Sequence, residues 1–205
     1  ISYEELKGKV RDYDVLVVRS RTKVTREIIE AGEKLKVVGR AGAGIDNIDV
    51  EAAKEKGVKV LNTPEAPAIA VAELTIGLLL SLARQIPRAD SSMKEGRWAK
   101  KEFKGWQLNG KTFGVIGLGH IGEKVARLAK AFGMKILITK RTPPSPEILR
   151  ELEAEFVPLD ELLKRSDIVS LHVPLTSQTY HMIGEREIQL MKDGAFIINT
   201  SRGAV

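Results

Sequence analysis

Two rhythms of apolar residues alternate along this chain. Short runs, rich in valine and isoleucine, occupy 15–18, 36–40, 58–61, 112–116, 134–138, 167–171 and 195–199. Between them, apolar residues recur every three or four positions, as in 25–31, 50–56, 123–132, 147–154 and 184–193. The first pattern suits buried strands and the second amphipathic helices. Strands that alternate with helices in this way predict α/β architecture with parallel, doubly wound sheets. Local chemistry agrees at several boundaries: Thr25, Asp49 and Asp160 stand where N-caps belong, and Gly57 where a helix should stop.

The pattern breaks at Asn62-Thr63-Pro64-Glu65-Ala66-Pro67. We therefore expect a first domain over 1–68 and a second over 108–205, each built on a doubly wound parallel sheet. The intervening 69–107 begins with a helix, 69–86, that is apolar on most sides and closed by Pro87. Such a helix must be covered on several sides, between domains or subunits. Glu73, inside it, is expected to be a buried carboxylate held by partners. The polar arm after it carries Trp98, Phe103 and Trp106, an aromatic surface for a second copy and hence a homodimer or higher homo-oligomer.

Composition narrows the field. Hydrophobic residues make up 43% and charged residues 29%, as in globular proteins. No apolar run approaches 18 residues, so no membrane span is expected. There is no cysteine, which removes disulfides, thiolate metal sites and a cysteine nucleophile, and suits a cytoplasmic location. The three histidines, His120, His172 and His181, have no carboxylates at ligand spacing, so no metal site is expected. The net charge is +6, but the basic residues are scattered among acids and aromatics are few, which argues against a nucleic-acid surface.

The sharpest chemical signal is Gly117-Leu118-Gly119-His120-Ile121-Gly122, between the strand at 112–116 and the helix at 123–132. Gly117 permits a tight turn, Gly119 lets backbone N–H groups approach a pyrophosphate, and Gly122 lets helix and strand pack closely. With a second strand following, the context is that of a dinucleotide site. The acidic residue that should end this second strand and bind the ribose hydroxyls is replaced by Lys140, followed by Arg141. Two cations there would attract a 2′-phosphate, so the expected cofactor is NAD or NADP. Other polar groups also collect at strand ends. Arg19-Ser20-Arg21 offers two guanidinium forks for a carboxylate or phosphate. Ala41 to Asn47 forms a small-residue loop whose N–H groups can cradle an anion. His172 ends another strand, where a hydrogen-bonded residue beside the cofactor is a better reading than a proton carrier.

Taken together, Arg19-Ser20-Arg21, the Gly39 to Asp49 stretch, Gly117 to Gly122, His172-Val173-Pro174-Leu175 and Asn199-Thr200-Ser201-Arg202-Gly203 occur in the order of a known family. The chain resembles the D-isomer-specific 2-hydroxyacid dehydrogenases over nearly its whole length, a resemblance that implies a flavodoxin-like substrate domain over 1–68 and a Rossmann NAD(P)-binding domain over 108–205. The resemblance implies hydride transfer between a nicotinamide and C2 of a small 2-hydroxy or 2-oxo acid. It makes Arg202 the catalytic arginine that binds the substrate carboxylate and polarises the carbonyl, with Ala43 and Gly44 donating N–H groups to that carboxylate. Arg19, Ser20 and Arg21 line the substrate side, where they can reach a phosphate at C3; 3-phosphoglycerate, oxidised in serine synthesis, is the expected substrate. His120 and Ile121 fall at the pyrophosphate, and Val173, Pro174, Thr200 and Ser201 near the nicotinamide. A glyoxylate or hydroxypyruvate reductase and a non-catalytic dinucleotide-binding regulator are the alternatives. The family's acid/base histidine and its glutamate are implied beyond Val205, and an opening strand before Ile1, which would make the chain an inner stretch of a longer enzyme.

Overall fold

The structure, a computed structural model, describes all 205 residues. They form two compact units, Ile1–Pro67 and Ala68–Val205.

The first unit runs α1 (Tyr3–Lys9), a single 3-10 turn, β1 (Val15–Val18), α2 (Arg26–Ala31), β2 (Val37–Arg40), α3 (Val50–Glu55) and β3 (Lys59–Asn62). Its sheet has the order β1-β2-β3, parallel throughout, and its register aligns Val18, Arg40 and Asn62 at the C-terminal edge. Ile28 and Ile29 of α2 and Ala52 and Ala53 of α3 pack on Val18 and Val38 to make the core. Asp49 caps α3 by accepting from the Ala52 N–H at 2.9 Å, a bond worth about 1 kcal/mol. Thr25 stands at the N-cap of α2, but its hydroxyl bonds the Tyr3 hydroxyl at 2.6 Å instead of a helix N–H. The other end of α2 is closed from a distance: the Lys56 ammonium donates to the carbonyls of Ile29, Glu30 and Gly32.

The second unit begins with α4 (Ala68–Arg84) and α5 (Ile86–Lys94). It continues with β4 (Thr112–Ile116), α6 (His120–Ala131), β5 (Lys135–Thr139), α7 (Pro146–Leu152) and β6 (Glu155–Phe156). It closes with α8 (Leu159–Arg165), β7 (Ile168–Leu171), α9 (Glu185–Leu190) and β8 (Phe196–Asn199). The sheet order is β6-β5-β4-β7-β8, again parallel throughout. Chain progression reverses direction between β4 and β7, so their C-terminal ends border the crevice where open α/β sheets bind ligands. Phe113 and Val115 of β4 are fully buried against Val125, Ala126 and Ala129 of α6 and Ala72, Ile76 and Leu79 of α4. On the opposite face α8 approaches so closely that a Cβ on Gly114 would overlap the side chains of Leu162 and Ser166.

Several sequence expectations are corrected here. The helix expected over 69–86 is α4, ending at Arg84 before Gln85, whose φ of 54° is left-handed; Pro87 sits in the first turn of a further helix, α5, where only a polar arm was expected. Glu73 is exposed, not buried, because α4 buries only one face, Ala68, Ala72, Thr75, Ile76, Leu79 and Ala83. Its outer face leaves Leu74, Leu78 and Leu82 in water. Of the three arm aromatics only Trp98 is exposed; Trp106 stacks on Phe196 with ring centroids 5.2 Å apart, and Phe103 lies under the Arg88 guanidinium. Asp160 falls inside the first turn of α8 and pairs with Arg186, while Pro158 occupies the N-cap. No single helix is long and apolar enough to cross a membrane; α4 and α5 meet that test only jointly, bent by 66°.

Candidate functional site

The glycine turn joins β4 to α6 at the crevice edge. Gly117 has φ of 92°, and a Cβ there would overlap the carbonyl of His172 on β7's extension. A Cβ on Gly122 would overlap the Gly117 carbonyl oxygen, so helix and turn touch backbone to backbone. Around Gly119 the opposite holds: a Cβ would meet nothing within 4 Å. Gly119 is also the N-cap of α6 and brings no side-chain cap to this three-turn helix, whose first turn carries N–H groups with no partner inside the helix. That combination fits a diphosphate, whose charge the helix dipole favours. His120 and Ile121 are the first two residues of α6, His120 exposed and Ile121 half-buried.

Lys140 follows β5 directly and reaches back so that its ammonium lies 3.4 Å from the Leu118 carbonyl; Arg141 beside it is exposed. His172 follows β7, with its backbone N–H bonded to the Ile116 carbonyl and its Nε2 2.8 Å from the buried Ser170 hydroxyl. Burial alone pushes its imidazole down to about 4, so the ring is neutral at physiological pH. Val173 is half-buried and Pro174 exposed.

Beyond β8, Thr200 bonds the fully buried Thr75 hydroxyl of α4 at 3.0 Å. Asn199 then organises the next turn. Its Oδ1 accepts from the N–H and hydroxyl of Ser201, and its Nδ2 donates to the Arg202 carbonyl at 2.8 Å. Arg202 Nη1 donates to the Ser201 carbonyl at 2.9 Å. The roles of Thr75, Ser170 and Asn199 were missed in the sequence. An Asn at a strand's end, two residues before a serine, is the one signal that could have revealed a side-chain-built turn.

In the first unit, Arg19, Ser20 and Arg21 are exposed after β1, and Asn47 Nδ2 holds that segment through the carbonyls of Arg19 and Thr22. The 41–44 loop follows β2. The Ala41 N–H bonds the Val18 carbonyl, and Gly42, at φ of 143°, lies so close to the Arg40 guanidinium that a Cβ would overlap it.

The family described as D-isomer specific 2-hydroxyacid dehydrogenase, NAD binding domain, matches residues 76–205. The chain belongs to this family. D-3-phosphoglycerate dehydrogenase of Methanocaldococcus jannaschii is 55% identical over all of the chain, which spans 39% of that protein. Hydroxypyruvate reductase of Thermotoga maritima is 57% identical over 98% of the chain, which spans 64% of it. Among solved structures, D-lactate dehydrogenase from Aquifex aeolicus complexed with NAD and lactic acid superposes with a TM-score of 0.89. It is 37% identical, with 97% of this chain and 59% of that one covered.

As in other 2-hydroxyacid dehydrogenases of this description, the matched stretch is an NAD-binding domain, and it contains the glycine turn, Lys140 and Arg202. No group of three or more histidine, aspartate or glutamate side chains comes together as a metal ligand set.

The neutral His172 carries a pH expectation. Its proton affinity is lower folded than unfolded, so the unfolded chain binds the extra proton between pH 6.5 and about 4. Stability is therefore complete above pH 6.5 and falls as pH drops through that window, by at most about 1.4 kcal/mol per unit. Thermal melts from pH 7 to pH 4.5 should show the loss, and His172→Gln should flatten it. An equal slope in the variant would contradict the burial argument.

Proposed function

We propose that the protein is an NAD(P)-dependent oxidoreductase that moves a hydride between the nicotinamide and C2 of a D-2-hydroxy acid, with 3-phosphoglycerate and 3-phosphohydroxypyruvate as the substrate pair. The observation that carries this reading is the start of α6 behind Gly119, which has no side-chain cap, at the switch point of a parallel sheet whose last strand, β8, leads through Thr200 and Ser201 to Arg202. The bound dinucleotide supplies the hydride acceptor or donor; the rest of the work falls to side chains and amides of this chain. N–H groups of Gly119, His120 and Ile121 would hold the diphosphate, and Lys140 and Arg141 the adenosine ribose end. His172, Val173, Pro174, Thr200 and Ser201 would border the nicotinamide end. The neutral imidazole of His172 adds no cation there.

Arg202 would bind the carboxylate and stabilise negative charge growing on the C2 oxygen during reduction, a fixed donor where charge develops. In the first unit, the Ala43 and Gly44 N–H groups would take the carboxylate, and Arg19, Ser20 and Arg21 a C3 phosphate. The exposed Leu74, Leu78 and Leu82 face of α4 is the surface we assign to a second copy of the chain.

A substrate panel tests the reading: 3-phosphohydroxypyruvate, hydroxypyruvate and glyoxylate with NADH and NADPH, and 3-phosphoglycerate in reverse. Highest kcat/KM on the phosphorylated pair supports it. The second reading, a hydroxypyruvate or glyoxylate reductase, is favoured by the cations at Lys140 and Arg141 and by the similarity to the T. maritima reductase. Activity on glyoxylate with NADPH and none on 3-phosphoglycerate would select it. Cofactor choice has its own test: Lys140→Asp should move the NAD to NADP ratio of kcat/KM toward NAD at least about tenfold, because a carboxylate repels a 2′-phosphate and accepts from the ribose hydroxyls. An unchanged ratio would remove Lys140 from the cofactor site.

A further inference from the structure

The carboxylate-binding reading of the 41–44 loop requires N–H groups at Ala43 and Gly44 that are both unpaired and aimed. The structure shows what aims them. β2 and β3 end in register at Arg40 and Asn62, and the hydrogen bonding continues past both strand ends through side chains. Arg40 Nη1 donates to the Ala41 carbonyl at 2.5 Å. The Thr63 N–H donates to the Gly42 carbonyl at 3.1 Å, and the Gly42 N–H returns a bond to Thr63 Oγ1 at 2.9 Å. Asn62 Nδ2 donates to the Ala43 carbonyl at 2.6 Å. Three consecutive carbonyl oxygens are thus each held by a donor.

Peptide geometry turns this into a statement about the opposite side of the loop. All peptide bonds here are trans, so each N–H points away from the carbonyl of the preceding residue. Holding the Gly42 carbonyl fixes the direction of the Ala43 N–H, and holding the Ala43 carbonyl fixes that of Gly44. Within the first unit neither N–H has an acceptor. Adjacent unpaired amides on one side of a small-residue loop form an anion-binding nest.

We propose that Asn62 and Thr63 are positioning residues for substrate binding: the Asn62 amide pins the Ala43 carbonyl, and the Thr63 hydroxyl, by accepting from the Gly42 N–H, keeps Gly42 seated on the backbone bond that fixes its carbonyl, so that the Ala43 and Gly44 amides stay turned toward the substrate carboxylate. The inference rests on the carboxylate reading of this loop given above. Neither side chain touches the substrate in this scheme; both act through the loop. Pre-aimed donors cost no reorganisation when the acid arrives, which places the effect in KM rather than in kcat.

The experiment uses the active protein with Asn62→Leu, Thr63→Val and Thr63→Ser. Asn62→Leu and Thr63→Val should raise KM for the 2-oxo acid about tenfold, with kcat within about twofold and the NADH dissociation constant unchanged. Thr63→Ser, which keeps the acceptor for the Gly42 N–H, should restore the wild-type KM. A second measurement separates this inference from the reading beneath it: oxamate, a small 2-oxo-acid analogue, and its neutral counterpart oxamide are titrated against the NADH-bound wild type. If the wild type binds the two equally, the carboxylate reading fails and the inference falls with it. If it prefers oxamate and the Asn62→Leu and Thr63→Val variants keep that preference and the wild-type KM, the reading survives and the positioning role is overturned. Should Asn62→Leu lose its folded melting transition, the Thr63→Val and Thr63→Ser pair decides alone.

Discussion

Replacing Arg202 by glutamine should lower kcat/KM for the 2-oxo acid by about 10²–10³-fold while leaving NADH affinity within a few-fold of wild type. In the proposed role, the guanidinium would meet the charge developing on the C2 oxygen more strongly in the transition state than in the ground state. Glutamine keeps the length and some donor capacity but loses the charge and the fork. Arg202→Lys should recover little, because an ammonium is a point donor that cannot hold a carboxylate bidentately. The scaffold should survive either change, since Asn199 fixes this turn through the backbone of Ser201 and Arg202, not through the guanidinium. Steady-state kinetics with fluorescence titration of NADH would check both halves. An Arg202→Gln enzyme with unaltered kcat/KM would remove the arginine from the chemistry.

The second large effect is expected at Gly122. A methyl there collides with the Gly117 carbonyl oxygen, a backbone atom that no rotamer change can move aside. Relief requires shifting α6 or opening the turn, and Gly117 already holds a left-handed conformation against the His172 carbonyl. Misplacement of about 1 Å in such a positioning element costs about 10²-fold. Gly122→Ala should therefore weaken NADH binding by about that factor and lower the melting temperature of the ligand-free protein. Gly119→Ala provides the contrast. Its Cβ enters open space, so stability should hold while the methyl crowds the approach of a diphosphate. Calorimetric binding and thermal melts on both variants read the difference directly. If Gly119→Ala binds like wild type, the diphosphate does not lie over this turn.

These expectations could be framed from the sequence because the second unit's centre is locally coded. Three glycines at fixed offsets, a strand before them and a helical period after them each specify their own geometry, and the strands recur at the positions read from the apolar runs. The parallel sheets were legible for the same reason. What escaped is coded by neighbours distant in the chain. Glu73 looked buried because its flanking residues are apolar, yet α4 buries only a face of small residues, and its leucines point outward. Pro87 marked the end of α4 two residues late, because it opens α5 and a glutamine, Gln85, takes the left-handed conformation between the two helices. Trp106 read as an exposed arm residue until Phe196, ninety residues on, gave it a stacking partner. The loop clamp at Asn62 and Thr63 was equally invisible, since its meaning depends on β2 and β3 ending in register.

That every ladder in both sheets is parallel also governs how the protein reaches this state. No two strands can zip from a tight hairpin; β4 finds β7 only after α6, β5, α7, β6 and α8 have been threaded between them. Loop-closure entropy precedes each gain in pairing, so acquisition of structure is slow and leaves strand edges bare for longer than in a helical bundle. Recovery from denaturant should accordingly favour dilute, cool conditions, and crowded refolding should end in precipitate.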